Sequence, residues 1–399
     1  YIDTLSSEAV KKFIELTHES YYKRYKRYFG KQIDMFFTDE PTLIDVQKYG
    51  YLDPSIPWTE KLPEVFKEMH GYDIMRYLPL LFYNSDMSTK VRCDFHKTLS
   101  RMYVNSYFKK LAEWCRKHGV KLTGHVLTED WPGPMVRYES NIFDVLREMD
   151  YPGIDYLFSI INMHTPKIAS SVAHFTGAER VFCENCGGAG WKMTIDRLRW
   201  VTNWLFVNGI NLIDPHAFYY STEGFRNIEW PPSYFFQWDY WDKMPEYSKY
   251  CSRISYILSS AKHVCKVAVL YPIYTLWSRM QGNYLNWEGT VAQNDIFAIT
   301  DALSRTHWDY DFLDDNMLAE CYVENEKLVA PHESYDVLIL PGTICIKNEA
   351  FNTIKRFRNI LATTFLPVED EDGYNDNICL LYTSPSPRDL STSRMPSSA

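Results

Sequence analysis

Residues 180–191 read Arg-Val-Phe-Cys-Glu-Asn-Cys-Gly-Gly-Ala-Gly-Trp, RVFCENCGGAGW in one-letter code. Three chemistries share these positions: a Cys183/Cys186 CxxC pair, a glycine run at 187–190, and a carboxyl, Glu184, closing an apolar segment. A structural zinc site normally takes two ligand pairs, and no second CxxC or suitable Cys/His pair follows. A thioredoxin-type CxxC opens a helix, whereas Cys183 continues a strand-like run. GGAG matches neither the GxxxxGK[ST] nor the GxGxxG spacing of phosphate loops. What remains is a buried strand that delivers Glu184 to an open end. The glycines then let the chain turn sharply and leave room for a ligand, while Trp191 packs or stacks nearby. A plain tight turn is the simpler alternative, yet a carboxyl at a buried strand end is costly unless it is used or paired.

Four other segments have the same form: IDMFFTDEP (33–41), VKLTGHVLTED (120–130), GIDYLFSI (153–160) and GINLIDPHAF (209–218). Helical patterns separate them: one capped at Ser6/Ser7 and running towards Tyr28, one over Thr89–His118 stopped by Gly119, one over Phe143–Met149 and one over Thr194–Asn208. Continuous apolar strands alternating with helices predict a parallel sheet buried on both faces. Each segment places ionisable residues at its C-terminal end: Asp39 and Glu40, His125 and Glu129, Asp155, Glu184, then Asp214 and His216. That polarity is the mark of a (β/α)8 TIM barrel, whose chemistry sits where the strands end. Five units are visible of the eight a closed barrel needs. An open doubly wound sheet uses the same strand ends, but no dinucleotide fingerprint accompanies it here.

Past residue 263 the pattern changes. CKVAVLYP (265–272), WDYDFLDD (308–315) and YDVLILPG (335–342), with helical stretches at Asn294–Arg305 and Asn348–Leu361, predict a partial open α/β domain. The expected division is a barrel portion at 1–262, the second domain at 263–380, and a tail at 381–399. That tail is rich in Ser and Pro and reads as adaptor read-through from a metagenomic gene fragment, carrying no chemistry.

A net charge of −9 gives no basic stripe for nucleic acid. No apolar run reaches the ~20 residues of a membrane span. Aromatic residues make up 16 % of the chain, an excess that suits clefts stacking flat apolar faces such as sugar rings. WPPSYFFQWDYW (230–241) either packs over the strand ends or forms such a wall. Nine cysteines, an odd and scattered set that includes Cys93, Cys115, Cys251, Cys265 and Cys321, read as free thiols. They favour a cytoplasmic location, with a periplasmic or secreted one left open.

Two carboxyl groups facing each other across a polar, aromatic-lined barrel mouth are what glycoside hydrolysis requires. The ordered segments EAVKKFIELTHESYYKRY, IDMFFTDEP, LTGHVLTED, DYPGIDYL, FCENCGGAGWKMTIDRLRWVTNWLFVNGINLIDPHAFYYS and WPPSYFFQ resemble the catalytic barrel of glycoside hydrolase family 106, the bacterial α-L-rhamnosidases and their relatives, over about residues 3–280. The resemblance implies that TDEP ends the fourth barrel strand and RVFCEN the seventh, the first three units being absent. The edges so exposed would leave the chain poorly stable on its own. It implies Glu40 as general acid and Glu184 as base, with reversed roles or a substitution by Glu129 as alternatives. Asp39, His125, Glu129, Trp191, Asp214, His216 and Tyr219 become substrate-binding candidates. The family is inverting and Ca2+-dependent, with no nucleotide cofactor; no Ca2+ ligand is assigned here. Where relatives carry Glu-Thr/Ala-Phe-Gly this chain has Glu184-Asn-Cys-Gly, a departure that bears on the sugar subsite. The expected function is removal of terminal α-L-rhamnose from a glycan. The alternatives are a β-galactosidase-like barrel hydrolase and a carbohydrate-binding protein without turnover.

Overall fold

The structure, a computed structural model, describes residues 2–45 and 55–378; the tail at 381–399 lies outside them. Five short strands occupy the five predicted segments: β1 Met35–Thr38, β2 Lys121–Gly124, β3 Gly153–Tyr156, β4 Phe182–Asn185 and β5 Leu212–Pro215. β1 pairs in parallel with β2, and β3, β4 and β5 form a parallel set. A parallel bridge from Thr123 to Tyr151 joins the two groups, so the strands run in sequence order. The sheet is curled. Three strand spacings amount to ~14 Å in a flat sheet, yet the rings of Phe37 on β1 and Phe182 on β4 meet at 5.3 Å. Such curvature belongs to the wall of a barrel. Among the described residues the outer edges of β1 and β5 have no partner strand, and a cavity of about 770 Å³ lies between Met35 and Leu212–Pro215.

Close strand approach explains two glycines. A Cβ on Gly124 would lie 2.0 Å from the Thr38 carbonyl oxygen, and one on Gly153 would lie 2.2 Å from the Gly124 oxygen. No side chain fits at either place without parting the ladder.

The helices follow the predicted patterns with local breaks. Ser6 caps the first, its Oγ accepting from Ala9 N–H at 3.3 Å, but the helix divides at Thr17 into Ser7–Leu16 and His18–Tyr25. The predicted Thr89–His118 helix is Ser88–Tyr103 and Lys109–Lys117 joined by a π-type turn at Val104–Phe108. That wide turn sits where Tyr103 and Tyr107 reach the end of β1: Tyr103 donates to the Pro41 carbonyl at 2.5 Å, and the Tyr107 and Thr38 hydroxyls bond at 2.9 Å. Thr194 caps Ile195–Val207, as its sequence position predicts.

A second parallel sheet orders its strands Ile360–Ala362, Val337–Leu340, Val267–Tyr271, Tyr310–Asp314. The helix predicted over Asn348–Leu361 ends at Ile354, so the residues after it turn into the edge strand. Buried polar contacts fasten this sheet to the first. Asn141 donates to Asp314 at 2.8 Å, Trp277 to the Ser140 carbonyl at 2.9 Å and Arg92 to the Ser278 carbonyl at 3.1 Å. The eight described cysteines are free and all but Cys251 are buried. No described helix is long and apolar enough to cross a membrane.

Two outcomes are expected. Gly153→Ala should destabilise the protein by about 3 kcal/mol or more, because the obstructing atom is backbone and cannot rotate away; urea denaturation of soluble protein measures it, and a cost below ~1 kcal/mol would show that the ladder yields. His18 lies among Phe36 at 4.8 Å, Trp114 at 5.0 Å and Phe13 at 5.6 Å, and burial lowers its pKa to about 4. The unfolded imidazole protonates near 6.5, so its contribution to stability is complete above that pH and is lost as pH falls towards 4. The melting temperature of His18→Gln should therefore fall less steeply than wild type between pH 7 and 4.

Candidate active site

The parallel register sets Asp155, Glu184 and Asp214 opposite one another on β3, β4 and β5. Paired residues project from the same face of a sheet, so three carboxyl groups form one cross-strand row. His125, directly after β2, stands against this row and is 1 % exposed. Its Nε2 lies 2.9 Å from Glu184 Oε2 and 3.5 Å from Asp39 Oδ1. Its Nδ1 faces the Val126 carbonyl at 3.3 Å and Glu129 Oε1 at 3.9 Å. Burial opposes a charge on this ring, but the hydrogen bond to Glu184 and the charges of Glu129, Asp155 and Glu184 prevail, raising its pKa to about 10. The imidazolium is the counter-ion of the acid row.

The acids around it differ. Burial raises Asp155 to about 8, with His125 opposing and the charges of Glu184 and Glu40 adding. Its Oδ1 has no hydrogen-bond partner. Burial likewise pushes Glu129 well above the usual carboxylate range, His125 opposing. Glu129 Oε1 accepts from the Val126 and Asp155 N–H groups at 3.3 Å each, so this residue ties loops together beneath the mouth. Asp214 is raised by desolvation and by the Glu184 charge.

Glu40 stands at the mouth with φ +41°, an uncommon backbone state for a residue with a side chain. Desolvation by the surrounding mouth raises its pKa, with His125 opposing and Asp39 and Glu184 adding. Glu40, His125 and Asp155 bring ligating atoms within 4.8 Å of one another, and so do Asp39, His125 and Glu184. The strained turn is held from below. Fully buried Glu139 has Oε2 3.0 Å from the Tyr103 hydroxyl that bonds Pro41, and its Oε1 accepts from Leu127 N–H at 3.3 Å. One side chain thus links the TDEP turn to the loop after His125. Nothing in the sequence singled out Glu139, which sits within a helix.

The glycine loop answers the question its sequence raised. Cys183 and Cys186 are buried free thiols outside every described group of metal-ligating side chains, and burial pushes Cys186 up to about 12. The aromatic run at 230–241 packs on this loop. Gly190 N–H donates to the Pro231 carbonyl at 2.8 Å, Trp238 to the Met193 carbonyl at 3.0 Å and Tyr234 to the Cys186 carbonyl at 3.3 Å. A Cβ at Gly188 would strike the Phe158 and Trp230 rings at 2.8 Å.

Beside the acid row lies a cavity of about 510 Å³, walled in part by Asp39, His216, Tyr219, Arg226 and Trp230. His216 Nε2 is 3.8 Å from Glu184 Oε1, and the Tyr219 hydroxyl donates to the Glu229 and Trp230 carbonyls at 2.6 and 2.8 Å. Asp39, His125, Glu184, His216 and Tyr219 therefore gather at one mouth. The Trp191 indole N–H donates to the Asn227 carbonyl at 2.8 Å, and Trp230 lines the cavity.

Comparison with known proteins agrees with this geometry. A family model described as alpha-L-rhamnosidase, Glyco_hydro_106, matches residues 1–364. A protein of Formosa agariphila described as a putative beta-glucuronidase is 23 % identical over 333 residues, 78 % of this chain and 25 % of that protein. The rhamnosidase structure from Novosphingobium sp. PP1Y superposes with TM-score 0.68 at 19 % identity, over 98 % of this chain and 36 % of that one. A beta-galactosidase from Marinomonas ef1 gives 0.61 at 13 % identity, over 94 % and 61 %. The chain thus has an α/β glycosidase fold and spans a quarter to a third of the first two proteins.

Glu184→Ala leaves the buried His125 cation without its 2.9 Å acceptor and should cost about 3 kcal/mol in urea denaturation. Glu184→Gln retains an acceptor oxygen and should cost about 1 kcal/mol. Equal costs would mean that the contact carries no charge-assisted strength.

Proposed function

The chain belongs to glycoside hydrolase family 106, and from that premise we propose that its mouth removes terminal α-L-rhamnose from a glycan, with Glu40 as general acid and Glu184 as general base. The observation that carries this assignment is the unlike treatment of two carboxyl groups around one imidazole. Glu40 is driven towards its protonated form, as a group that must give a proton to a leaving oxygen requires. Glu184 accepts from a ring that stays cationic through neutral pH, an arrangement suited to a carboxylate that takes a proton from water. His125 orients Glu184 and balances the acid row. Asp39, His216 and Tyr219 offer hydrogen-bonding groups to sugar hydroxyls, and Trp230 offers a face for the ring to stack on.

A family Ca2+ fits this donor set. Asp39 and Glu184 form one close group with His125, and Glu40 and Asp155 form another; these acids, with the Asp155 oxygen that lacks a partner, would be the hard oxygen donors to hold it. When bound, the ion supplies positive charge that fixes sugar hydroxyls and relieves repulsion among the acids. A second reading rests on Asp39: its carboxylate lies within 4.8 Å of Glu184, nearer the ~5–5.5 Å of a retaining pair than the ~6.5–9.5 Å of an inverting one.

The protein is assayed on nitrophenyl α-L-rhamnoside and nitrophenyl β-galactoside, with 1H NMR following the first-formed anomer. Glu40→Gln and Glu184→Gln should each lower kcat by about 10²–10⁴-fold while sugar binding persists, and a chelator should lower activity that Ca2+ restores. Inversion supports the Glu40/Glu184 pair; retention, with loss of activity in Asp39→Asn, supports the second reading. Hydrolysis unchanged in both Gln variants would overturn the assignment.

A further inference from the structure

We propose that His174, His263, Asp311 and Glu333 form a site for one divalent transition-metal ion of the zinc type, at the junction of the two sheets. The four residues come from separate parts of the chain: the helix Thr165–Thr176, the segment linking the sheets, the strand Tyr310–Asp314 and the turn before Tyr335. No sequence spacing announces them.

His174 and Asp311 are in hydrogen-bond contact, and His263 and Glu333 stand in ion-pair range beside them, close enough for one ion to draw the set together. His174 Nδ1 lies 2.8 Å from Asp311 Oδ1. His263 Nδ1 lies 3.7 Å from Asp311 Oδ2 and 3.5 Å from Glu333 Oε1. Tetrahedral zinc with bonds of ~2.0–2.1 Å separates its ligand atoms by ~3.3 Å. The two imidazoles stack with centroids 3.7 Å apart and planes 11° from parallel. That stacking brings a nitrogen of each into one group with Asp311, all ligating atoms within 4.8 Å.

The surroundings are those of a metal ligand set. His263 Nε2 donates to Asp309 Oδ2 at 2.9 Å. A carboxylate on the far nitrogen orients the ring and leaves the near nitrogen's lone pair for a metal. That near nitrogen, Nδ1, is buried and has no hydrogen-bond partner. Asp309 is steadied in turn by Lys167 at 2.9 Å, while Tyr335 donates to Asp311 Oδ2 at 3.2 Å. Two imidazoles and two carboxylates favour zinc over calcium, which prefers oxygen alone. A cavity of about 740 Å³ with His174, His263 and Glu333 in its wall is the way in. The competing arrangement is an ion-pair network without metal, in which Lys167, 3.7 Å from Asp311, supplies the positive charge. In that network a protonated His263 would turn Nδ1–H towards Glu333 at 3.5 Å and Asp311 at 3.7 Å, contacts longer than a normal hydrogen bond.

Chelator-stripped wild type, His263→Gln, Asp309→Asn and Glu184→Gln are titrated with Zn2+ by calorimetry. Glu184→Gln is the control for binding at the mouth. The expected result is one equivalent that survives Glu184→Gln, weakens by about 10–100-fold in Asp309→Asn and disappears in His263→Gln. X-ray absorption of Glu184→Gln with one equivalent of Zn2+ guards against misfolding of the His263 variant; it should show four N/O ligands with outer scattering from two imidazoles. Absence of binding at micromolar Zn2+, binding unchanged in His263→Gln, or a shell with fewer than two imidazoles would overturn the site.

Discussion

One imidazolium among carboxyl groups governs the architecture of the mouth. Parallel register places Asp155, Glu184 and Asp214 side by side on neighbouring strands, an arrangement that would repel if all three ionised without a counter-charge. His125 is that counter-charge, and it must be buried to reach the row. Burial alone would strip its proton; the acids restore it. Row and ring stabilise each other's protonation states, and neither would be tolerable alone. The approach of β2 to its neighbours is therefore tightly constrained, and Gly124 and Gly153 admit it by lacking side chains.

The same constraint explains the effort spent on holding the loops. Glu40 occupies a left-handed backbone conformation next to Pro41, a state that persists only where the surroundings over-determine it. Tyr103 bonds the Pro41 carbonyl, Tyr107 bonds Thr38, and Glu139 ties that turn to the loop after His125. Across the mouth, Tyr234 and Trp238 pin the carbonyls of Cys186 and Met193. The aromatic run, readable beforehand as packing or as a sugar wall, divides its labour. Tyr234 and Trp238 are buried as packing, while Trp230 faces the cavity.

How much of this was legible in the chain depended on whether the signal was local. Apolar runs ending in acids located all five strands, although β1 and β5, at the open edges, are only partly buried. Glu184 was singled out by weighing rival chemistries for its neighbours, Cys183 and Cys186, which are buried free thiols. The anchoring of Trp191 to the Asn227 carbonyl could not be read beforehand, because a loop's direction depends on what it packs against. Glu139 was invisible for a related reason: its partners Tyr103 and Leu127 are distant in sequence, and an acid within a helix ordinarily reads as solvated surface. The π-type turn at Val104–Phe108 left no mark on an otherwise helical pattern.

The junction cluster brings histidine and carboxylate together in a second way, and the contrast shows what turns such a group into a reaction site. At the mouth the Asp39 side chain is 69 % exposed, so solvent reaches the charges that His125 balances. At the junction Asp311 is fully buried among His174, His263, Lys167, Ser171 and Tyr335. The distribution of cations differs as well. Among the described residues His125 is set directly against several acids at the mouth, Glu184, Asp39 and Glu129. At the junction the fixed cation is Lys167, 2.9 Å from Asp309 and 3.7 Å from Asp311. Carboxylates so paired are poor proton carriers but good fixed ligands and braces. Access and charge balance, rather than residue type, set the open group at the mouth apart from the buried one at the junction.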